Sequence, residues 1–236
     1  MENTLLGGIN MYKLVISDFK DTIIDKEGSI STDTIISIDN YRRNGGIFSI
    51  CSETNYEDVL YYDKSFHFID YIISYSGSVI YDVNKEKIIY DKHILISKIK
   101  KIIKNIDKVV LYSINSKYKV DSNCLDYLSN NKIYRIDIPN NKDNLEFIKE
   151  LDVNYYVDDK KIIITGSNIY DCINKIIKKK ITYREVLCIP NDNKFLCCTD
   201  LFYCIGLSNC KIKVKKIKLD NNHDGVLEIL NNINKA

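Results

Sequence analysis

The sequence predicts an α/β protein: a parallel-sheet core built from both ends of the chain, with a small α+β module inserted between them. Three observations carry this. A short apolar run, Leu14, Val15 and Ile16, leads at once to Asp18 and a polar turn. Strand and helix patterns alternate up to about residue 83 and again after Gly166. Between them come hairpins and short helices, the pattern of a separate α+β layer. A carboxylate at the end of a buried strand is where open α/β sheets place their chemistry.

Taken in order, residues 12–18 read as a buried strand. "TIIDKEGSIS" follows as a hairpin-like stretch turning at Lys26-Glu27-Gly28. Ser31 or Thr32 caps a helix to about Asn44, with Ile35, Ile38 and Tyr41 on one face, and Gly45-Gly46 ends it. "IFSIC" (47–51) is the next buried strand, completing a βαβ unit. "NYEDVLYYD" is helical, and "YIISYSGSVIYD" is a strand, a turn at Gly77 and a strand. The middle then reads as strand "KIIYD", amphipathic helix "ILISKIKKIIKNI", hairpin "KVVLYSI"/"KYKVD" and helix "CLDYLSNN". Strand "KIYRIDI", helix "DNLEFIKEL" and a hairpin around Asp158-Asp159 complete the module. Afterwards come helix "IYDCINKIIKKK", strand "EVLCI" (185–189), helix "FLCCTDLFY", strand "CIGL", edge strand "KIKVKKIKL" (211–219) and a last helix "DGVLEILNNI". The expected domains are an extension at 1–10, a core of 11–83 and 166–236, and an α+β cap at 84–165.

The 236 residues are 45% apolar and 28% charged, which excludes a disordered chain. The net charge of +2, with acids and bases interspersed, predicts no nucleic-acid or membrane partner. No run of ~18 apolar residues occurs, and "MENTLLGGIN" has no signal-peptide pattern, so a cytoplasmic location is expected. The eight cysteines form no CxxC pair, and His67, His93 and His223 are scattered. Free thiols packed as small apolar groups are expected rather than a zinc site. Composition leaves the oligomeric state open.

Three stretches resemble the haloacid-dehalogenase-like (HAD) superfamily and, within it, the Cof-type phosphatases. "KLVISDFKDTIID" is similar to the family's opening strand and Asp-x-Asp-Gly-Thr loop. "ISYSGSVIYD" resembles its Asn-Gly-Ala turn, and "NNHDGVLEIL" its closing Asp-Gly-Val helix. The resemblance implies a Rossmann-like core with a cap, and Mg²⁺-dependent phosphatase activity on small phosphorylated metabolites. In that chemistry one aspartate attacks phosphorus and a second, two residues on, serves as general acid and base. Mg²⁺ neutralises the crowded negative charge through carboxylate ligands, and a hydroxyl and a lysine hold phosphate oxygens.

By resemblance Asp18 takes the nucleophile's place and Thr22 matches, but Lys20 replaces the acid/base. An ammonium has no lone pair with which to accept a proton. Asp21 replaces the family glycine. In the second motif Cys51 takes the phosphate-binding place, or Ser52 with a shift of one, and Glu53 falls where many relatives carry a basic residue. Asn168 falls at the family lysine. At the metal positions Asp18 is joined by Pro190-Asn191, Asp192 and Phe195, in place of a Gly-Asp pair and a later Asp. A neutral amide and a phenyl ring are poor or absent Mg²⁺ ligands, so Mg²⁺ is implied by the family and doubtful in this chain. His93 and Arg135 read as surface or structural residues.

The expected function is that of a Cof-type hydrolase homologue impaired in catalysis that can still take a small phosphorylated ligand. Two alternatives stand beside it. One is an active Mg²⁺-dependent phosphomonoesterase using Asp18 with unusual partners. The other is a non-catalytic binding or protein-interaction role.

Overall fold

The computed structural model describes residues 12–64, 66–120, 124–177, 181, 185–190, 203–205, 215–217 and 225–234. Its elements begin with β1 (Leu14–Asp18), α1 (Thr32–Arg43), β2 (Ile47–Cys51), α2 (Tyr56–Asp63), β3 (Tyr71–Ser74) and a 3₁₀ turn (Tyr75–Gly77). Next come β4 (Val79–Asp82), β5 (Lys87–Asp91), α3 (Ile96–Asn105), β6 (Val110–Tyr112), β7 (Lys117–Lys119) and α4 (Cys124–Asn130). They continue with β8 (Arg135–Pro139), α5 (Lys142–Lys149), β9 (Asn154–Val157), β10 (Lys161–Thr165) and α6 (Ile169–Ile177). The last are β11 (Val186–Ile189), β12 (Tyr203–Ile205), β13 (Lys215–Ile217) and α7 (Gly225–Asn234). The chain is α/β, as expected. It divides into two compact units: Met1–Ile50, Asp63–Asp70 and Ile177–Ala236 in one, Cys51–Tyr62 and Tyr71–Ile176 in the other.

In the first unit β1 lies between β11 and β2. It pairs in parallel with β11, from Leu14↔Val186 to Ser17↔Ile189. All five β1 residues are buried, as a central parallel strand requires. Helix α1 starts where the Ser31 hydroxyl accepts the Thr34 N–H at 3.1 Å. It ends with the Gly45 N–H on the Arg42 carbonyl and the Gly46 N–H on the Tyr41 carbonyl, a Schellman closure. Its buried face carries Ile35, Ile38 and Tyr41. The helix packs on α7, where the Ser37 hydroxyl donates to Asn231 Oδ1 at 3.2 Å.

Residues 63–70 are held by two carboxylates. Arg42 grips Asp70 with two bonds, Nε to Oδ2 at 3.0 Å and Nη2 to Oδ1 at 2.8 Å. Asp63 accepts the Phe68 and Ile69 N–H groups at 2.7 and 3.0 Å. β12 and β13 pair in parallel. Tyr203, expected at the end of a helix, is a strand residue; residues 195–202 of that helix lie outside the described residues. Of the edge strand expected at 211–219, residues 215–217 are described, and they are a strand.

In the second unit β3, β4 and β5 form an antiparallel meander. The inserted module has a five-stranded antiparallel sheet, β7-β6-β8-β10-β9, with α3, α4 and α5. Period-2 alternation sorts β8 cleanly. Ile136 and Ile138 join Leu111, Ile162 and Ile164 in the apolar core under the helices. The register pairs Arg135 with Tyr112, Asp137 with Ile163, and Ile163 with Tyr156. Arg135, Asp137, Tyr112 and Tyr156 therefore share the opposite face. Cys51, Cys124, Cys172 and Cys188 are buried free thiols, as expected. Among the described residues no helix is long and apolar enough to cross a membrane.

Burial raises the Asp63 carboxyl above its ordinary value, against the lowering effect of its two backbone hydrogen bonds. The folded state then holds this proton more tightly than the unfolded chain, whose value is near 4. This group's contribution to stability therefore falls as pH rises from about 4 through the folded-state value. Asp63→Asn keeps one acceptor oxygen and removes the titration. In thermal melts from pH 4 to 7 the variant should gain on wild type with rising pH and then run parallel to it. A constant offset across the range contradicts this.

Candidate functional site

The first unit presents Asp18 at the end of β1. Three apolar residues and Ser17 precede it in the strand, and all four are fully buried. Asp18 itself is 4% exposed, and its Oδ1 accepts the Phe19 N–H at 3.0 Å. The Ser17 hydroxyl donates to the Asp18 carbonyl at 2.9 Å. Beyond it the chain turns: Lys20 bridges Ile24, and the Ile23 N–H bonds to the Phe19 carbonyl. Lys20 is exposed, and among the described residues it forms no ion pair. A direct Lys20–Asp18 pair within 4 Å is not formed. Asp21 has φ = +54°, so it supplies the left-handed position a glycine would otherwise take. Thr22 is buried, and its hydroxyl has no hydrogen-bond partner among the described residues.

The second unit carries Cys51, Ser52 and Asn168, which the resemblance aligns with phosphate-binding positions. Cys51 is the last residue of β2 and is fully buried. Ser52 is the first residue past the strand, where its hydroxyl accepts the Thr54 N–H at 3.1 Å and bonds the Thr54 hydroxyl at 3.0 Å. Its backbone is held as well, the N–H on the Ile73 carbonyl and the carbonyl on the Ser76 N–H. Next to it is a strained turn, with φ of +51°, +52° and +118° at Tyr75, Ser76 and Gly77. A bulky residue in this region costs about 1–2 kcal/mol. The ring of Tyr75 is fixed by stacking on Tyr134 and by its hydroxyl bond to the Ser113 carbonyl at 2.8 Å. Gly77 is required: a Cβ there would stand 2.5 Å from the Asn168 carbonyl carbon.

Asn168 lies at the start of α6 and caps it, its Oδ1 accepting the Asp171 N–H at 2.9 Å. Its amide nitrogen donates to Asn154 Oδ1 at 3.1 Å. Both ends of this side chain are engaged. Lys175 on the same helix is exposed, 5.8 Å from the Tyr90 ring centre.

Sequence reasoning missed the polar face of the cap sheet. Arg135, read as surface or structural, is buried and structural. Its Nε and Nη2 bond Asp137 at 2.6 and 3.0 Å, and Nη1 bonds Glu53 Oε2 at 2.9 Å. Burial alone would weaken the cation; the Asp137 bond and charge, with Tyr156 and Glu53, outweigh it and raise its pKa. The Tyr112 hydroxyl, pushed up to about 12 by burial and by Asp137, donates to Asp137 at 3.0 Å. The alternation in "RIDIP" was the available signal.

Mg²⁺ is the metal the family resemblance implies. Among the described residues no three His, Cys, Asp or Glu side chains converge on a point. The described donors at the end of β1 do not by themselves fit a Mg²⁺ site. Asn191 and Asp192 lie outside the described residues.

A strand-end carboxylate on an α/β core, with an α+β insertion, defines a HAD-type hydrolase fold. The family model for haloacid dehalogenase-like hydrolases matches residues 15–189, and the chain belongs to that family. Solved structures share the fold. The phosphatase BT1666 of Bacteroides thetaiotaomicron, from the haloalkanoate (HAD) enzyme superfamily, aligns with TM-score 0.81 at 11% identity, covering 98% of this chain and 99% of that one. A HAD/COF-like hydrolase of Plasmodium vivax aligns with TM-score 0.73 at 16% identity, covering 94% and 95%. The HAD subclass IIB sugar phosphatase BT4131 gives 0.72 at 14%, covering 93% and 98%. No curated protein sequence matches.

Two substitutions test the turns. Gly77→Ala should destabilise by about 2–4 kcal/mol in urea unfolding, because backbone atoms of Asn168 and Ile169 must move. Asp21→Gly should stay within about 1 kcal/mol of wild type, and Asp21→Val should lose about 1–2 kcal/mol. Equal stability of the Gly and Val variants contradicts the left-handed assignment.

Proposed function

We propose that this chain is a cytoplasmic HAD-like phosphatase homologue that binds small phosphorylated metabolites and is impaired in turning them over. The observation that carries the reading is the end of β1. Asp18 is kept, buried and backed by a complete strand, while the position two residues on presents an ammonium to solvent. An attacking carboxylate with an ammonium two residues on can engage phosphorus but lacks at that position the group that protonates the leaving oxygen and activates water. Asn168 supports the same reading, because its side chain is uncharged and already spent on a helix cap and on Asn154. Ser52, one residue past β2 with an ordered hydroxyl, is the better phosphate-binding residue than Cys51. The reading retains a core of 11–83 and 166–236, with a cap at 84–165 acting on the substrate side. The two phosphatases among the solved relatives favour a phosphorylated small molecule as the ligand class.

A second reading, an active phosphomonoesterase using Asp18, has one observation in its favour. Asp21 adopts the left-handed backbone that a glycine favours, so the loop after Asp18 does not need the glycine to turn.

A panel of phosphorylated sugars, nucleotides and organic acids tests the binding claim by thermal shift. At least one member, at millimolar concentration, should raise Tm by about 2 °C or more. No stabilisation by any member overturns the binding claim.

A further inference from the structure

We infer that Glu53 is a tethered anion filling an oxyanion site built from Arg135 and Tyr156, and that this site takes a carboxylate- or phosphate-bearing ligand when Glu53 leaves it. Both carboxylate oxygens of Glu53 are held. Oε2 accepts from Arg135 Nη1 at 2.9 Å, and Oε1 accepts from the Tyr156 hydroxyl at 3.1 Å. The Tyr156 hydroxyl is itself bonded to the Ser76 hydroxyl at 2.9 Å. One guanidinium edge and one phenol arranged on two oxygens of a single acid make a donor set for an oxyanion. Arg135 Nη1 also donates to the Glu53 carbonyl at 3.1 Å.

The rest of the cluster is built to outlast the loss of Glu53. Arg135 is gripped from its other edge by Asp137, which also accepts from Tyr112 and from Lys161 Nζ at 3.1 Å. Arg135, Asp137, Tyr112, Tyr156 and Lys161 all lie on strands of one sheet. Glu53 is the exception. It sits in the irregular segment between β2 and α2, and its side chain is 32% exposed, against 5% for Arg135 and 9% for Asp137. It can swing out without breaking a sheet hydrogen bond. The charges explain why something must replace it. Among the described residues Arg135 and Lys161 carry two positive charges against one negative on Asp137, and Glu53 supplies the second negative charge. With Glu53 gone Arg135 stays paired to Asp137, but its Nη1 loses a charged acceptor in a buried place, which is unfavourable.

The site is built from residues of the second unit, whereas Asp18 belongs to the first. It is tested by chemical rescue of Glu53→Ala, comparing chloride, formate and inorganic phosphate at equal ionic strength, in wild-type and Asp18→Asn backgrounds. In chloride the variant should melt below wild type. Formate or phosphate at about 10–50 mM should restore about 2–4 °C to the variant and leave wild type unmoved. The more effective anion identifies the ligand as carboxylate or phosphate. Adding Tyr156→Phe should remove most of the rescue. If Glu53→Ala does not fold in chloride, refolding yield becomes the readout, and formate or phosphate should recover soluble protein. The inference is overturned if neither anion rescues the variant by either readout, if wild type gains as much as the variant, or if loss of the Tyr156 hydroxyl changes nothing. Retention of the rescue in Asp18→Asn is expected, and its loss there also overturns the inference.

Discussion

The five buried residues of β1 are the constraint on which the other features depend. A strand enclosed between β11 and β2 has no freedom to shift, because a one-residue slip would turn Ile16 and Asp18 together to the other face of the sheet. The first place the chain can leave the sheet is therefore set, and Asp18 stands there. The chain must then turn tightly, since Ile23 and Ile24 return to the interior. Asp21 accepts a left-handed backbone to make that turn. The turn needs a backbone conformation rather than a particular side chain, so the fold can be kept while the side chains at its exit change.

A comparable division operates in the cap sheet. β8 is buried on both faces, but the two faces differ in kind. One face is Ile136 and Ile138 in an apolar core; the other is Arg135 and Asp137 in a paired and hydrogen-bonded cluster. The apolar face supplies stability in proportion to the area removed from water. The charged face is close to break-even in energy and is best understood as a device for specificity. It draws the segment after β2 onto the sheet through Glu53.

Much of the fold was legible in the sequence. Short apolar runs such as Leu14–Ile16, the Ser31 cap and the Gly45-Gly46 stop act locally, so their signals are local too. The cap hairpins were legible for the same reason, from alternation flanking Asp158-Asp159. The polar face of the cap sheet was not. Arg135, Glu53 and Tyr156 are far apart in the chain; the sheet register brings Arg135 and Tyr156 to one face, and side-chain bonds hold Glu53 there. The left-handed backbone at Asp21 was not legible either, although aspartate is among the residues that tolerate that region. The end of β2, by contrast, was legible: the strand stops at Cys51, as "IFSIC" indicates, and Ser52 is the first residue beyond it.

The central claim is that Asp18 has kept its place in a phosphoryl-transfer fold while the group needed beside it has been lost. The most direct test is p-nitrophenyl phosphate hydrolysis with Mg²⁺, measured for wild type and Asp18→Asn from the same preparation procedure. The account predicts that both proteins release p-nitrophenol at the same near-background rate. Clear turnover by wild type that Asp18→Asn abolishes would contradict it.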